Sequence, residues 1–245
     1  MRDEPSRRCA DVGLLVTLMT SREHAPSTAQ IAVFDLDGTL LAGDSTVAWL
    51  RTLLLASGVR LFAAAIALPV CLPLIHFPSS RAIGASILLW IATFGFDSEA
   101  LADSIESFAR SFEAGQTSLR WRKDGVHAMQ RHMAAGDRVV VVTAAPALLA
   151  QRLFAPWSGI PVLGSSLGRW QGGWVAARHC LGRQKCRALE DGGYGAVWKY
   201  AYTDSHDDAP LLAGAEHAFI VNARPAVISR LKAFGLSRIA PLRWR

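Results

Sequence analysis

Residues 30–39 read QIAVFDLDGT, and this stretch decides the fold. It begins as a short apolar run rich in strand-forming residues and passes at once into Asp37-Gly38-Thr39. An apolar run of this length, bounded by a glycine turn, is typical of a strand buried on both faces of a parallel sheet. Asp35 and Asp37 then stand at the carboxyl end of that strand, where open parallel sheets bind their ligands.

Further apolar segments repeat this pattern along the chain. Strands are predicted at 138–143 (RVVVVT), 199–203 and 217–221, and helices over 117–135, 183–190 and 226–234. Residues 162–169 and 173–178, on either side of Gln171-Gly172, predict a hairpin. Strands that alternate with helices in this way predict a doubly wound, Rossmann-like α/β fold with a parallel sheet.

The stretch after the first strand interrupts this alternation. Residues 45–115 are helical in character and strongly apolar in their first half, so we expect a helical cap inserted into the core. Residues 29–44 and 116–245 then form the α/β core, and residues 1–28 a weakly structured N-terminal extension.

The two aspartates of the first segment can carry chemistry. Carboxylates two residues apart repel each other unless a cation or a shared proton relieves them. A bound Mg²⁺ would do so, and it would also screen the charge of an incoming phosphate. Asp35 could then act as a nucleophile, and Asp37 as the acid that protonates the leaving oxygen. Acidic residues after a strand also cap turns, and the pair alone leaves both interpretations open.

Other polar residues stand at comparable positions. Thr143 ends its strand, where its hydroxyl and the N–H of Ala144 could hold phosphoryl oxygens. Lys185 lies near the start of a helix and could stabilise the same charge, while Asp204 and Asp208 follow a later strand and could complete a magnesium site. Each also has an ordinary structural explanation as a strand-end threonine, a solvated lysine or an acidic helix cap.

Taken in order, these segments resemble the four motifs of the haloacid dehalogenase-like hydrolases. The motifs are DLDGT at 35–39, Thr143 after four valines, Lys185 about forty residues later, and YTDSHDD at 202–208. The insert directly after the first motif is similar to that of the phosphoserine phosphatase-like branch, in which a helical cap closes over the site. The resemblance covers roughly residues 30–235 and implies a magnesium-dependent phosphatase with an aspartyl-phosphate intermediate.

The resemblance also implies roles for individual residues. It makes Asp35 the nucleophile and a metal ligand, and Asp37 the general acid and base and a metal ligand through its carbonyl. The third metal ligand is Asp204, and the residues that bind phosphate are Thr143, Ala144 and Lys185. Asp208 is the carboxylate that orients Lys185 or a metal-bound water. Asp207 stands where many relatives have Asn, a departure that could add metal affinity or change nothing.

Composition and charge limit which partners and which cysteine-based sites the chain can have. Of the 245 residues, 51% are hydrophobic and 19% charged, the mean hydropathy is +0.23 and the net charge is +6. Such a chain favours anionic partners, and charge alone fits nucleic acid, an acidic membrane and a phosphorylated substrate. The four scattered cysteines form no CxxC pair, so neither a zinc cluster nor a disulfide framework is predicted.

The apolar block of the predicted cap points to a membrane. Residues 61–77 carry no formal charge over 17 positions, close to the shortest spanning helix, although Pro69 and Pro73 are expected to kink it. We expect residues 53–94 to associate with a membrane, and the alternative is a cap packed on itself. Stretches at 86–95, 172–185 and 201–212 resemble the phosphatidylglycerophosphatase C family of bacterial inner membranes.

That second resemblance implies an anionic phospholipid as substrate, namely phosphatidylglycerol phosphate, at the cytoplasmic face of the inner membrane, with no nucleic-acid partner. The alternative function is a cytoplasmic phosphatase of small molecules, of the phosphoserine phosphatase type.

Overall fold

A seven-stranded sheet forms the centre of the computed structural model, which describes residues 30–77 and 80–245. The strands are β1 (Ile31–Phe34), β2 (Leu41–Ala42), β3 (Arg120–Trp121), β4 (Arg138–Pro146), β5 (Val162–Trp170), β6 (Gly173–Arg178), β7 (Trp198–Thr203), β8 (Ala215–Val221) and β9 (Ile239–Leu242). The main sheet has the order β6-β5-β4-β1-β7-β8-β9, and β2 pairs with β3 separately. All neighbours in the main sheet are parallel except β5 and β6.

Helices lie on both faces of this sheet. They are α1 (Ser45–Leu55), α2 (Gly58–His76), α3 (Arg81–Thr93), α4 (Ser98–Glu113), α5 (Lys123–Ala134), α6 (Ala147–Leu153), α7 (Arg183–Asp191), α8 (Ala209–Ala213) and α9 (Pro225–Ala233), with short 3-10 turns at Ala155–Trp157 and His206–Asp208. The predicted doubly wound α/β fold is confirmed.

Strand β1 holds the centre of the sheet because both of its faces are apolar. Ala32 and Phe34 belong to the hydrophobic cluster on one side, whereas Val33 belongs to the cluster on the other. Strand β1 pairs with β4 on one edge and with β7 on the other. The strand order reverses direction here, and in open sheets such a switch point opens a crevice at the carboxyl ends of the strands.

Helices α1 to α4 fall in the stretch predicted as a cap, and its two halves differ. Helix α4 packs into the main hydrophobic cluster and is clamped to α6 by Arg152, whose guanidinium lies 2.5 Å from Glu106 and 2.7 Å from Glu113. Helices α2 and α3 pack on each other and leave much apolar surface exposed. Helix α4 therefore belongs to the core, α3 joins the same cluster through Leu89 and Ala92, and α2 is the most exposed helix of the insert.

Several predictions about individual segments need correction. The helix predicted over 117–135 begins only at Lys123, because Arg120 and Trp121 form β3 instead. Strand β4 does not end at Thr143 as predicted but continues to Pro146, directly before α6. Helix α2 runs without a break through Pro69 and Pro73.

The other predicted segments agree with the structure only in part. The hairpin is confirmed, with Gln171 (φ 42°) and Gly172 (φ 83°) forming a two-residue turn of the left-handed kind that hairpins favour. Strands β2, β3 and β9 were not predicted. The predicted extension at 1–28 lies outside the described residues.

Candidate active site

The predicted site residues meet at the carboxyl ends of β1, β4 and β7. A cavity of about 350 Å³ opens there, between these strand ends and the cap helices α1 and α3. All seven residues predicted for the site line it: Asp35, Asp37, Thr143, Ala144, Lys185, Asp204 and Asp208. Residues up to 173 positions apart in the chain are therefore brought together by the parallel strands, as the sequence pattern predicts.

Lys185 links two of the carboxylates. Its side chain is only 2% exposed, and its Nζ donates hydrogen bonds of 2.7 Å to both Asp35 Oδ1 and Asp208 Oδ2. Thr203 Oγ1 donates to the same Asp208 oxygen at 2.7 Å. Burial alone would lower the pKa of Lys185, but the carboxylates of Asp208 and Asp35 overcome it and raise that pKa. The lysine is therefore a permanent buried cation beside Asp35.

Burial also has the largest effect on the pKa of Asp35. It raises the pKa of the Asp35 carboxyl to about 8, with Lys185 acting in the opposite direction and Asp208 and Asp204 adding to the rise. A carboxyl in this setting ionises readily only when further positive charge is near.

Asp37 is held by the start of the first cap helix. The backbone N–H of Ser45 donates to Asp37 Oδ1 at 2.8 Å, and the Ser45 hydroxyl donates to Oδ2 at 3.0 Å. Burial raises the pKa of Asp37 to about 7, and the charge of Asp44 adds to this while the Ser45 hydrogen bonds oppose it. A carboxyl with such a pKa is partly protonated near neutral pH and is suited to acid and base catalysis.

Asp44 and Ser45 complete the helix start. Asp44 Oδ1 accepts a hydrogen bond of 2.8 Å from the Val47 N–H, so Asp44 is the N-cap of α1, and it also lines the cavity. The sequence does not show that Ser45 holds Asp37, since that contact depends on how the loop closes after the first motif.

Thr143 and Ala144 form the wall opposite Asp37. Thr143 is fully buried, and its Oγ1 accepts a hydrogen bond of 3.1 Å from the Ala145 N–H, which leaves the hydroxyl proton free to donate. The Ala144 carbonyl accepts 2.7 Å from Ser165 Oγ, which in turn accepts 2.9 Å from the Cys180 N–H. Ser165, on β5, thus holds the end of β4 that carries both residues, and no pattern in the sequence predicts this role.

The site has an excess of negative charge. Six carboxyl groups line the cavity, against two permanently cationic side chains, Lys185 and Arg81. Burial raises the pKa of Asp204 as well, and Asp208 Oδ1 is buried without a hydrogen-bond partner among the described residues. Carboxylate oxygens in this number are what a divalent cation such as Mg²⁺ binds.

The backbone is shaped around the Asp204 carboxylate. Gly38 has φ +77°, and a Cβ at that position would lie 2.1 Å from Asp204 Oδ2. Within 30–77 and 80–245, no three His, Cys, Asp or Glu side chains are grouped closely enough to hold a metal together. The predicted ligand set does not require such a group, because it uses two carboxylates, of Asp35 and Asp204, and the carbonyl of Asp37. The donor chemistry therefore fits Mg²⁺.

The remaining residues of the last motif face the rim of the cavity. Asp207 Oδ2 accepts a hydrogen bond from Arg81 Nη1 at the start of α3, and its other oxygen lies 3.5 Å from His206 Nε2. Asp207 thus faces the cap and not the other site carboxylates. His206 contacts Arg230 Nη1 at 3.2 Å on the outer side of the loop.

Comparison with known proteins agrees with this geometry. The family model of the haloacid dehalogenase-like hydrolases matches residues 32–213. A protein with unknown function from Bordetella pertussis Tohama I is 22% identical, covers 86% of this chain and 98% of its own, and superposes with a TM-score of 0.63. A hydrolase of the same family from Salmonella enterica serovar Typhi is 15% identical, with coverages of 82% and 64% and a TM-score of 0.57.

A phosphoserine phosphatase, solved as a phospho-aspartyl intermediate analogue, is 13% identical over 82% of this chain and 90% of its own, with a TM-score of 0.53. At these identities the structural similarity concerns the fold.

Proposed function

This chain belongs to the haloacid dehalogenase-like hydrolase family, and we propose that it is a phosphatase that forms an aspartyl-phosphate on Asp35. The observation that carries the proposal is the buried Lys185 Nζ, 2.7 Å from Asp35 Oδ1 at the end of the central strand. This contact leaves the second oxygen of Asp35 available for attack. A fixed cation beside a nucleophilic carboxylate stabilises the negative charge of an incoming phosphoryl group.

The reaction follows from the positions of the two aspartates. The Asp35 carboxylate forms a bond to phosphorus as the bond from phosphorus to the leaving oxygen breaks, and protonated Asp37 donates its proton to that oxygen. Asp37, now a carboxylate, then accepts a proton from a water molecule that attacks the aspartyl-phosphate. This second step releases inorganic phosphate and returns Asp35 to its carboxylate form.

The other residues of the site bind the phosphoryl group or orient the residues that bind it. The Thr143 hydroxyl, the Ala144 N–H and the Lys185 ammonium are the donors for the phosphoryl oxygens, while Asp208 holds the lysine in place. Mg²⁺, held by Asp35, the Asp37 carbonyl and Asp204, would supply charge neutralisation when bound.

We further propose that the substrate is a phospholipid, phosphatidylglycerol phosphate, at the cytoplasmic face of a bacterial inner membrane. The support lies in the exposed apolar surface of the insert. Of the 17 large apolar side chains that are exposed in the described residues, 12 lie between Val47 and Phe94. Residues 45–96 also contain no Asp or Glu but three Arg, a charge balance that favours an anionic lipid surface.

Helix α2 presents much of this surface, over most of its circumference away from Ala64 and Cys71. Val59, Phe62, Ile66 and Val70 follow one another at helical spacing and are 80%, 68%, 64% and 60% exposed, whereas Ala64 and Cys71 face inward. Among the helices described, α2 alone has both the length and the composition to span a bilayer by itself. Because α2 also packs along α3 over the cavity, we propose that it lies on the membrane surface with its apolar face inserted.

The cavity supports a substrate with an apolar portion. Its cap side is lined by Val47 and Leu50 of α1 and by Ile75, Leu88 and Leu89 of α2 and α3. Val47 is 61% exposed, so this apolar lining reaches the outer surface. A lipid phosphate could therefore place its phosphate at Asp35 while its glycerol and first acyl carbons contact the cap.

An activity panel tests the substrate class. Purified protein with Mg²⁺ is assayed on phosphatidylglycerol phosphate in mixed micelles, phosphoserine and p-nitrophenyl phosphate. We expect kcat/KM to be highest for the lipid. A preference for phosphoserine would instead support a small-molecule phosphatase, and no hydrolysis of any ester would contradict the phosphatase itself.

A liposome experiment tests the membrane surface. Replacing Phe62 and Ile66 by Glu should reduce cosedimentation with phosphatidylglycerol liposomes by about tenfold or more, because charged side chains are costly in the hydrocarbon region. Hydrolysis of p-nitrophenyl phosphate should stay within about twofold. The matched control replaces Val197 and Phe234 by Glu. These two side chains are 74% and 69% exposed on the core, and the control protein should bind liposomes as the unmodified protein does. Equal recovery of all three proteins would contradict the proposal, as would full release by high salt, which weakens charge attraction alone.

A further inference from the structure

The α2–α3 pair is attached firmly to the core at one end. Four hydrogen bonds join the end of α3 and the residues after it to the β5–β6 hairpin. They are Gly95 N–H to Gly172 O (2.7 Å), Trp90 Nε1 to Trp170 O (3.0 Å), Trp174 N–H to Thr93 Oγ1 (3.0 Å) and Trp174 Nε1 to Phe96 O (3.2 Å). Arg60, at the start of α2, donates to Phe94 O at 3.0 Å and so ties the second helix to the same end.

The opposite end of the pair, which we call the cap tip, is held differently. There the Arg81 guanidinium donates to the Ile75 carbonyl at 3.2 Å and, through Nη1, to Asp207 Oδ2. Within the described chain, no other side-chain hydrogen bond or ion pair links residues 58–92 to the loop after β7. One arginine therefore joins the end of α2, the start of α3 and the loop that carries Asp204 and Asp208.

This contact lies at the rim of the cavity. Both Arg81 and Asp207 line it, and their side chains are 31% and 18% exposed. The Asp207 N–H donates to Ser205 Oγ at 3.1 Å, so the carboxylate stands on a locally ordered turn. A single ion pair at this exposure is worth little on its own and can open and close readily.

We propose that the Arg81–Asp207 pair is a latch that closes the cap tip over the active site and that opens to admit substrate. The inference rests on the proposed active site, because the latch matters for turnover only if chemistry occurs beneath it. The hydrogen bonds at the hairpin end make that end the hinge, and the tip is the part that moves. Asp207 then serves to hold the cap.

A different role for Arg81 makes different predictions. If the arginine bound the substrate directly, Asp207 would only compete for it. Removing Asp207 would then preserve or improve substrate binding, while removing Arg81 would weaken it. A latch requires the opposite pattern, in which the two single substitutions have the same effect and the double substitution adds nothing.

Hydrogen exchange without substrate tests the latch itself. In Arg81→Gln and in Asp207→Asn, the amides of residues 83–87 and 71–76 should exchange about fivefold faster, the upper range for a partly exposed pair. The double variant should match either single one. The control is Arg51→Gln, because Arg51 is exposed on α1 and makes no side-chain hydrogen bond or ion pair with the described residues. Unchanged exchange in either single variant, or additive effects in the double variant, would overturn the proposal.

Kinetics with p-nitrophenyl phosphate give the second measurement. Both single variants should lower kcat/KM by a similar factor of about two to five, and the charge-swapped protein, Arg81→Asp with Asp207→Arg, should recover to within about twofold. A rise in KM for Arg81→Gln alone, without recovery in the swapped protein, would instead identify Arg81 as a substrate ligand and refute the latch. If the unmodified protein hydrolyses no phosphomonoester, the proposed function fails, and the exchange experiment still decides whether the latch exists.

Discussion

Replacing Lys185 by Met is the substitution whose consequence can be worked out furthest. The side chain is 2% exposed and lies 2.7 Å from oxygens of both Asp35 and Asp208. Methionine keeps most of the volume but removes the cation, and breaking a buried ion pair in this way costs about 3–5 kcal/mol. The cost falls when a carboxyl that is left behind can take up a proton.

The pH dependence has a definite sign. The pKa of Asp35 is already raised to about 8 by burial, and loss of Lys185 removes an influence that lowers it. In the folded variant the carboxyl therefore stays protonated to a higher pH than in the unfolded chain. A group with a raised folded pKa contributes stability at low pH that is lost as the pH rises through that pKa. The difference in unfolding free energy between the unmodified protein and the variant should consequently be larger at pH 9 than at pH 6.

Urea unfolding in EDTA, followed by tryptophan fluorescence at both pH values, measures this difference. The matched control is Lys199→Met, because Lys199 makes a 2.7 Å pair with Glu216 but at the protein surface. That control should leave the unfolding midpoint nearly unchanged at either pH. An equal loss of stability at pH 6 and pH 9 in the Lys185 variant would show that the lysine acts through packing, and would refute the electrostatic reasoning.

The other predictions concern catalysis. Asp35→Asn should abolish turnover while leaving the circular dichroism spectrum intact, since the amide cannot attack phosphorus; measurable turnover contradicts the assigned nucleophile. Asp37→Asn should slow hydrolysis of an alkyl phosphate by about 10²- to 10⁴-fold. In the unmodified enzyme the same reaction should slow above about pH 7, where Asp37 loses its proton. A loss of activity below about tenfold in the Asp37→Asn variant would exclude Asp37 as the general acid. EDTA should inactivate the enzyme and Mg²⁺ restore it, and Asp204→Ala should raise the Mg²⁺ concentration needed; activity that survives chelation and dialysis argues against the metal site.

The site could be predicted from the sequence because each of its residues adjoins an apolar strand or begins a helix. Parallel strands present their carboxyl ends at one edge, so Asp35, Thr143 and Asp204 had to converge once the strands were recognised. Ser45 and Ser165 could not be found in this way. The Ser45 contact with Asp37 depends on how the loop after β1 closes, and the Ser165 contact with the Ala144 carbonyl depends on the irregular register between β5 and the end of β4.

The errors in the fold have related causes. The helical pattern at 117–135 includes Leu119, but Arg120 and Trp121 pair with β2, a partner that hydrophobic periodicity cannot reveal. Strand β9 lies at the sheet edge, and Pro241 within it weakens the strand pattern.

The insert contains helices that are held by contacts with the core and one helix, α2, that is mostly exposed. Helix α1 begins at Ser45, which holds the Asp37 carboxylate, and α4 is clamped to the core by Arg152. The parts of the insert nearest to the proposed acid are thus fixed by contacts with the core, and the exposed apolar side chains lie on α2, in which only Ala64 and Cys71 are buried. A change in the apolar face of α2 should therefore alter which surface or substrate the protein meets without moving Asp37. Under the proposed lipid activity, the surface of α2 would thus decide which substrate reaches the site while the catalytic arrangement stays the same.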